Sequence, residues 1–488
     1  MLIRIIAFIL CSILCLIKPL QVFQQSSYRI KESLTIIKRK PSLLLFTLLS
    51  VFAIALAFIN FYSVYCSSIA ISFISLFLYC KALKKTIVKT NRLKRLIAVY
   101  GVILAILTVV LIYVKQLFIF AFCPFILLFL SAILIAPLEN KIANKFKEKA
   151  KQKLQSQKPI TIAITGSFGK TTLKNILARI LSTQYSVFVS PSNYNTAMGL
   201  AKCINETDSL GDIFIAEAGA RYSGDIAEIC SLISPKIAVI TSITNQHLET
   251  FKSEENLKKE KLSILCPSVE YAFFNTDNIT NVDYNAFDKK VVLSGKSGDV
   301  VYSNVKIKNG KQTFVLNDKE GSMQVECSLL SDYIPSLIST AVSIAKTLGI
   351  QEKNIKNAIN TLKPIAHRLE LLYNGKDVII DDAYNSNERG FISAVNLLSS
   401  FEDKTKVLIT PGVVELGKKQ EETNERLASY ASERVDKIYC YGVNSKAIKR
   451  GAKDKCEVCS SLGDCMMRYK KIQGERAVLF ENDLPDVY

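Results

Sequence analysis

The feature that most constrains this chain is the place where its charge is unbalanced. Residues 1–158 hold 22 Lys and Arg against 3 Asp and Glu, whereas the next 330 residues hold 40 of each sign. All of the net charge of +19 therefore lies in the first third of the 488-residue chain, beside its most apolar runs. Four of these runs, about 41–60, 62–80, 97–114 and 117–136, approach the ~20 residues that a helix needs to cross a bilayer. A fifth, from Ile5 to Ile17, is shorter and bounded by Arg4 and Lys18. It fits a span with snorkelling ends, an interfacial helix or an uncleaved signal-like anchor.

A pI of about 9.2 ordinarily raises nucleic acid as a partner. Here the excess Lys and Arg flank apolar segments, where they set topology and touch anionic lipid. The expected partner is a lipid bilayer, and no nucleic-acid partner is expected. The stretch 29–40 carries five basic residues and 81–95 carries seven without an acid, while the connections near Asn60 and Lys115 are short and almost uncharged. Positive loops stay in the cytoplasm, which puts 21–40, 81–96 and everything after 137 on that side.

From residue 160 the pattern changes to short β-rich runs alternating with helical ones, as in α/β domains with mainly parallel sheets. Strands are expected at 160–164, 213–218, 236–243, 271–275, 377–383, 406–410, 437–442 and 477–482. The stretch 291–330 lacks helices and reads as a small β insertion, and "LKPIAHRLE" (362–370) reads as a domain boundary. The expected organisation is a transmembrane region at 1–140 with four to five helices, and a basic linker at 141–158. A central α/β domain follows at 159–362 and a C-terminal one at 363–488. Of thirteen cysteines only Cys456, Cys459 and Cys465 cluster. C-x-x-C-x5-C without a second pair fits reduced thiols better than zinc.

The chemistry concentrates in "ITIAITGSFGKTTLKNILARIL" (160–181), written as strand, loop and helix start. Backbone N–H groups and the positive helix end suit an anion there. Gly166 and Gly169 allow a tight backbone, Lys170 can reach β/γ-phosphates, and Thr171 can ligate magnesium. The strict pattern G-x-x-x-x-G-K-[ST] needs a glycine where this chain has Ile164. On the bare pattern, a nucleotide site and an ordinary glycine-containing turn both stay open.

The compact form Thr165-Gly166-Ser167-Phe168-Gly169-Lys170-Thr171-Thr172 resembles the ATP loop of the Mur ligase family, which builds peptidoglycan peptides. Further segments resemble that family in order. "SPSNYNTAMGL" (190–200) resembles the substrate segment after the second strand, implying Asn193, Asn195 and Thr196. "IFIAEAGARYSGDIAEI" ends its strand in Glu-x-Gly, implying Glu217 at a magnesium position. "TSITNQHLETFKSEENLKKEKLSIL" implies His247 and Lys261, the latter as a carbamylated metal ligand. "RLE" and "DDAYNSN" imply Arg368, Asp382, Tyr384, Asn385 and Asn387, and Tyr-Asn-x-Asn is the form of the D-alanyl-D-alanine-adding, MurF-like branch. The resemblance also assigns Thr165, Gly166, Ser167, Gly169, Lys170, Thr171, Thr172, Asn275, Arg368 and Asp382 to the nucleotide.

Read bare, Glu217 could cap the helix after its strand, His367 reads as a structural hydrogen-bond partner, and Lys261 as part of a solvated helix face. There are departures too. Ile334 and Leu337 stand where the family has asparagines, Glu388 replaces a proline, and "FENDLPDVY" replaces a Lys-Gly-Ser-Arg-like close. Membrane segments occupy the place of the family's UDP-sugar-binding domain.

The resemblance implies a membrane-anchored ligase using ATP and Mg2+. It would activate a carboxylate of a UDP- or lipid-linked muropeptide as an acyl phosphate for attack by an amino acid or dipeptide such as D-Ala-D-Ala. The implied location is the bacterial cell membrane, multi-pass, with the catalytic domains in the cytoplasm. A ligase adding another amino acid or ammonia, and a non-catalytic nucleotide-binding scaffold of cell-wall assembly, are the alternatives.

Overall fold

The structure, a computed structural model, describes residues 16–39, 43–44, 86–114, 124–191, 194–244, 248–279, 281–308, 310–375, 377–383 and 387–482. Two compact units share the chain, residues 1–144 and 145–483. The expected spans at 41–60 and 62–80 lie outside the described residues, save 43–44, and so does most of 5–17.

In the first unit, α1 covers Ile30–Arg39, α2 covers Asn91–Val114, and α3 begins at Pro124 and runs to Gln157. Windows Asn91–Val110 and Phe125–Gln157 have mean hydropathies of 2.1 and 1.8, so among the described residues two helices are long and apolar enough to cross a membrane. Val102, Ile106, Val109 and Val110 on α2 are exposed, as are Ile126, Leu130, Ile133 and Leu134 on α3. Their spacing of three and four puts each set on one helix face. Arg95 grips Glu139 through two charge-assisted hydrogen bonds of 2.5 and 2.8 Å.

The stretch expected as a linker, 141–158, is not separate from what precedes it: α3 continues unbroken through it, with Pro137 inside the helix. Its last turns belong to the second unit. Ala150 and Leu154 join a buried cluster there, and Lys147 pairs with Glu228 at 2.9 Å.

The second unit contains two sheets. The first has nine strands in the order β2-β3-β1-β4-β5-β6-β7-β8-β9. The six strands β1 (Ile160–Thr165), β2 (Val187–Val189), β3 (Ile213–Glu217), β4 (Ile237–Ile240), β5 (Tyr271–Asn275) and β6 (Lys290–Gly295) pair in parallel. The run 291–330 is no separate insertion. It supplies β6 and then β7 (Val300–Lys308), β8 (Lys311–Asp318) and β9 (Gly321–Cys327), which extend the same sheet, the last two antiparallel. Alternation of exposed and buried residues along β9 fits an edge with one covered face. The strands β1, β3 and β4 are buried almost throughout, as parallel strands covered on both faces require.

Helices α4 (Lys170–Leu181), α5 (Ala197–Glu206), α6 (Asp225–Ile233), α7 (Glu254–Leu262) and α8 (Ile334–Thr347) cover the faces. The chain leaves β1, returns through β2 and β3 on one side, then crosses to β4 on the other. The loop after β1 thus sits at the switch point, where open α/β sheets bind ligands.

The second sheet has the order β10-β11-β15-β12-β13-β14, parallel except for the β10–β11 hairpin. Its strands are β10 (Glu370–Asn374), β11 (Asp377–Asp382), β12 (Thr405–Thr410), β13 (Lys437–Cys440), β14 (Cys456–Val458) and β15 (Arg476–Glu481). The sequence expectation overlooked β2, β10 and β14, which are short, and overran the ends of β4 and β13.

Candidate active site

The loop between β1 and α4 is pinned from the segment that follows β4. Ser167 N–H donates to the Ser242 carbonyl at 3.0 Å, its hydroxyl donates to the Thr244 carbonyl, and Phe168 N–H donates to the Ser242 hydroxyl at 2.8 Å. The Thr165 hydroxyl donates to the Ala218 carbonyl across the sheet. The Thr165 and Ser167 hydroxyls therefore shape the loop, which leaves the α4 N-terminus as its anion-facing part. Gly166 is obligatory: its φ is +152°, and a Cβ would lie 2.0 Å from Thr241 Oγ1. Lys170 Nζ curls over the loop to donate to the Gly166 carbonyl at 2.6 Å. Desolvation lowers its pKa, the charge of Glu217 opposes that, and Arg368 adds repulsion.

Glu217, at the end of β3, is 3% exposed. Its two carboxylate oxygens accept from the Thr171 hydroxyl at 3.2 and 3.0 Å. It does not cap a helix, since α6 begins after Gly224 without a side-chain cap. Its direct cation is Lys174, at 3.2 Å, a residue the sequence reasoning missed. Sequence spacing puts 170 and 174 on one helix face, but only the fold, in which α4 buries Leu173, Ile176 and Leu177 around Lys174, sets Glu217 against it.

Lys261 is no solvated residue. It is 2% exposed, whereas Lys258 and Lys259 are not buried. Burial, and then the charge of Lys170, push its ammonium down to about 7, against the pull of Glu260, Asp225 and Glu217. Its neighbour Glu260 accepts from Gly224 and Ile226 N–H at 2.8 Å each and so holds the start of α6. His247 lies outside the described residues.

Arg368 comes from the start of the C-terminal segment and lines a crevice with Thr172, Tyr333, Ile334 and Leu369. Asp382 is fully buried, and its Oδ1 accepts from Leu369 N–H at 3.2 Å, beside Arg368. Its register partner on β15 is Glu481, also fully buried. Glu481 Oε2 accepts from Thr410 at 2.5 Å, while Oε1 finds no partner among the described residues. Burial pushes its carboxyl up to about 8, Thr410 opposes this, and Asp382 adds to it. The altered chain ending thus puts a protonated acid beside Asp382. Ion pairs Arg221–Glu415 (2.9 Å) and Lys419–Glu254 (3.0 Å) and the Ser331–Ser393 hydrogen bond tie the two sheets' domains together.

On the other side of β1, Asn275 ends β5. Its Oδ1 accepts from Ser336 at 2.6 Å and from Asp277 N–H, leaving Nδ2 buried without a partner among the described residues. Ile334 and Leu337, in place of asparagines, are buried core residues of α8, and Leu337 packs against Gly169.

Among the remaining expected residues, Thr196 caps α5 by accepting from Gly199 N–H, and Asn387 caps the helix Glu388–Ser399 by accepting from Gly390 N–H. The Asn195 carbonyl accepts from Gly219 N–H, and its side chain lies 2.9 Å from where a Gly219 Cβ would stand. The Glu-x-Gly pattern therefore reflects a close approach. Asn193, Tyr384 and Asn385 lie outside the described residues. His367 Nδ1 meets Asp381 Oδ2 at 2.8 Å.

Thr171 and Glu217 offer hard oxygen donors of the kind magnesium takes. Among the described residues no group of three His, Cys, Asp or Glu could hold a metal. In the cluster Cys456, Cys459 and Cys465, Cys456 Sγ lies 3.4 Å from Cys440 Sγ, and none of the three is in a disulfide.

Comparison with known proteins adds an independent finding. Residues 164–345 match the Mur ligase middle domain, and residues 367–481 match the Mur ligase glutamate ligase domain. The chain is 29% identical over 292 residues to a UDP-N-acetylmuramoyl-tripeptide–D-alanyl-D-alanine ligase of Borreliella burgdorferi, covering 58% of this chain and 62% of that one. The same enzyme of Bacillus subtilis is 27% identical over 308 residues, covering 62% and 67%. The match thus spans just under two thirds of the first relative's length. In fold, the MurF ligase of Thermotoga maritima, solved in complex with ADP, superposes with a TM-score of 0.65 at 23% identity, covering 70% of this chain and 80% of that one.

Proposed function

Since this chain belongs to the Mur ligase family, we propose that it is an ATP-dependent amide ligase of peptidoglycan precursor synthesis, MurF-like in reaction. The γ-phosphoryl of ATP passes to a substrate carboxylate, giving an acyl phosphate and ADP. An amine, D-Ala-D-Ala-like, then attacks the acyl carbon, and phosphate leaves as the amide forms. The observation that carries this reading is the convergence of Lys170, Glu217, Lys261 and Arg368, from four separate segments, at the loop after β1. Each of the last three acts electrostatically on Lys170 or is acted on by it.

The roles follow from the geometry. The N–H groups opening α4 and Lys170 take the triphosphate, and Arg368 adds positive charge from the second domain. Asp382 holds the backbone beside Arg368. The free Nδ2 of Asn275 is a donor for the base. Thr171, Glu217 and His247 would hold magnesium, which when bound offsets phosphate charge. Lys261, driven toward its neutral amine, can add CO2 to give a carbamate and a proton, turning a cation into an anionic oxygen ligand. Closing of the domains excludes water that would hydrolyse the acyl phosphate. The muropeptide carboxylate is assigned to the side of Asn193, Asn195 and Thr196, and the amine to that of Tyr384, Asn385 and Asn387.

We place the N-terminal region in the membrane, multi-pass, with the ligase domains on the cytoplasmic side. The support is the exposed apolar faces of α2 and α3 and the basic loops between apolar runs. An acceptor presented by the membrane, a lipid-linked muropeptide, fits this arrangement. The test uses the full-length protein in detergent, with ATP, D-Ala-D-Ala and either UDP-linked or lipid-linked tripeptide. Amide formation with either supports the ligase reading, and preference for the lipid-linked form supports the membrane assignment. The apolar Ile334 and Leu337 favour a second reading, a nucleotide-binding scaffold without turnover. Absence of ADP release with any carboxylate and amine pair would favour it.

A further inference from the structure

Lys174 is among the most deeply buried cations of the described chain, with 1% exposure, yet the ligase reaction assigns it nothing. It lies one turn beyond Lys170 on α4. Its Nζ donates to the Ser190 carbonyl at 2.8 Å and stands 3.2 Å from Glu217 Oε2. Ser190 in turn accepts the Glu217 backbone N–H on its hydroxyl at 3.1 Å. Lysine and glutamate are therefore fastened to the same residue, one through its carbonyl and the other through its side chain. Glu217 keeps both oxygens turned to the Thr171 hydroxyl at the same time.

A carboxylate this buried is strongly unfavourable unless a cation compensates it. Lys170 and Lys261 act on Glu217 through space, but Lys170 Nζ is bonded to the loop carbonyls. The direct contact belongs to Lys174.

We propose that Lys174 is a positioning residue, a built-in counter-cation that keeps Glu217 aimed at Thr171 before a divalent cation arrives. This rests on the reading of Glu217 as a magnesium ligand. Two consequences separate it from a merely structural lysine. Without metal, removing the Lys174 charge leaves Glu217 uncompensated, so the loss of stability is largest in metal-free protein and shrinks when a divalent cation supplies the missing charge. With metal, the absent ammonium no longer repels the ion, so the variant binds it more tightly, by ~3- to 10-fold.

The experiment uses the full-length protein in detergent. Thermal unfolding is followed with and without Mg2+, and Mn2+ binding is followed by electron paramagnetic resonance, for wild type, Lys174→Met and the double variant Lys174→Met with Glu217→Gln. The expected result is a Mg2+-induced rise in Tm that is several degrees larger in Lys174→Met than in wild type, together with tighter Mn2+ binding. The double variant, with both charges gone, regains metal-free stability and loses the metal response. It also keeps the test informative if Lys174→Met alone does not fold. Equal destabilisation with and without Mg2+, unchanged Mn2+ affinity, or a double variant as unstable as the single one would overturn the proposal. If wild type binds no Mn2+ while ATP turnover persists, the metal role of Glu217 fails and this inference with it, leaving the ligase reading standing.

Discussion

Replacing Glu481 by glutamine should remove a specific pH dependence from the stability of the C-terminal domain. Glu481 is fully exposed to solvent only when the chain unfolds, where its pKa is ~4.3. In the fold its carboxyl is buried beside Asp382 and held protonated up to about 8. Between those values the folded state keeps a proton that the unfolded state has lost. Stability contributed by this group is thus complete below pH ~4.3 and falls as pH rises, by ~1.4 kcal/mol per unit, until it levels off near the folded pKa. From pH 4.3 to pH 7 that amounts to about 3–4 kcal/mol. The glutamine has no such titration. It orphans an amide donor near Oε1 at a cost of ~1–3 kcal/mol, but that offset is the same at every pH and cancels in the comparison. Urea unfolding of the full-length protein in detergent, followed by C-terminal-domain tyrosine signals at pH 5, 6, 7 and 8, gives the two curves. The wild-type curve should drop relative to that of Glu481→Gln across this range. Parallel curves would show that Glu481 is ionised in the fold and that the account of the Asp382 neighbourhood is wrong.

Other predictions follow from single contacts. Lys261→Gln should lower ligase activity by ~10²-fold or more, and wild-type activity should rise with bicarbonate and with pH through about 7. A bicarbonate-independent rate would remove the carbamate. Gly166→Ala should destabilise the domain by more than ~2 kcal/mol, because the new methyl overlaps Thr241 at a φ of +152°, and thermal unfolding reads this directly. Arg221→Ala breaks an ion pair that is half-exposed on the arginine side, so unfolding should change by under ~1 kcal/mol. Its KM for the carboxylate substrate should rise nonetheless if the Arg221–Glu415 contact helps to hold the domains together.

Particular residues mark how far the sequence carried. The parallel strands β1, β3, β4 and β5 were readable because both faces are covered, which writes them as continuous apolar runs. Strands β2 and β14 have three residues each, too few to show any period. The β6–β9 extension was taken for an insertion because antiparallel hairpins carry no mark of which sheet they join. Within the site, Lys170, Glu217 and Arg368 were legible from spaced motifs, and Lys261 from its distance to a histidine. Lys174 was not, since a lysine on a helix is solvated by default and only the fold shows that Glu217 lies against it. Glu481 was visible only as a departure at the chain's end. Its meaning depends on the parallel register that sets it beside Asp382.

The central claim is that the compact loop after β1 drives acyl-phosphate chemistry. Its most direct measurement is ADP release by the full-length protein in detergent, alongside mass-spectrometric detection of the amide, with muramoyl tripeptide and D-alanyl-D-alanine present together or singly. The account predicts ADP and amide in equal amounts only when both substrates are present, and loss of both signals in folded Lys170→Ala protein. Acceptor-independent ADP release, or full turnover by Lys170→Ala, would contradict it.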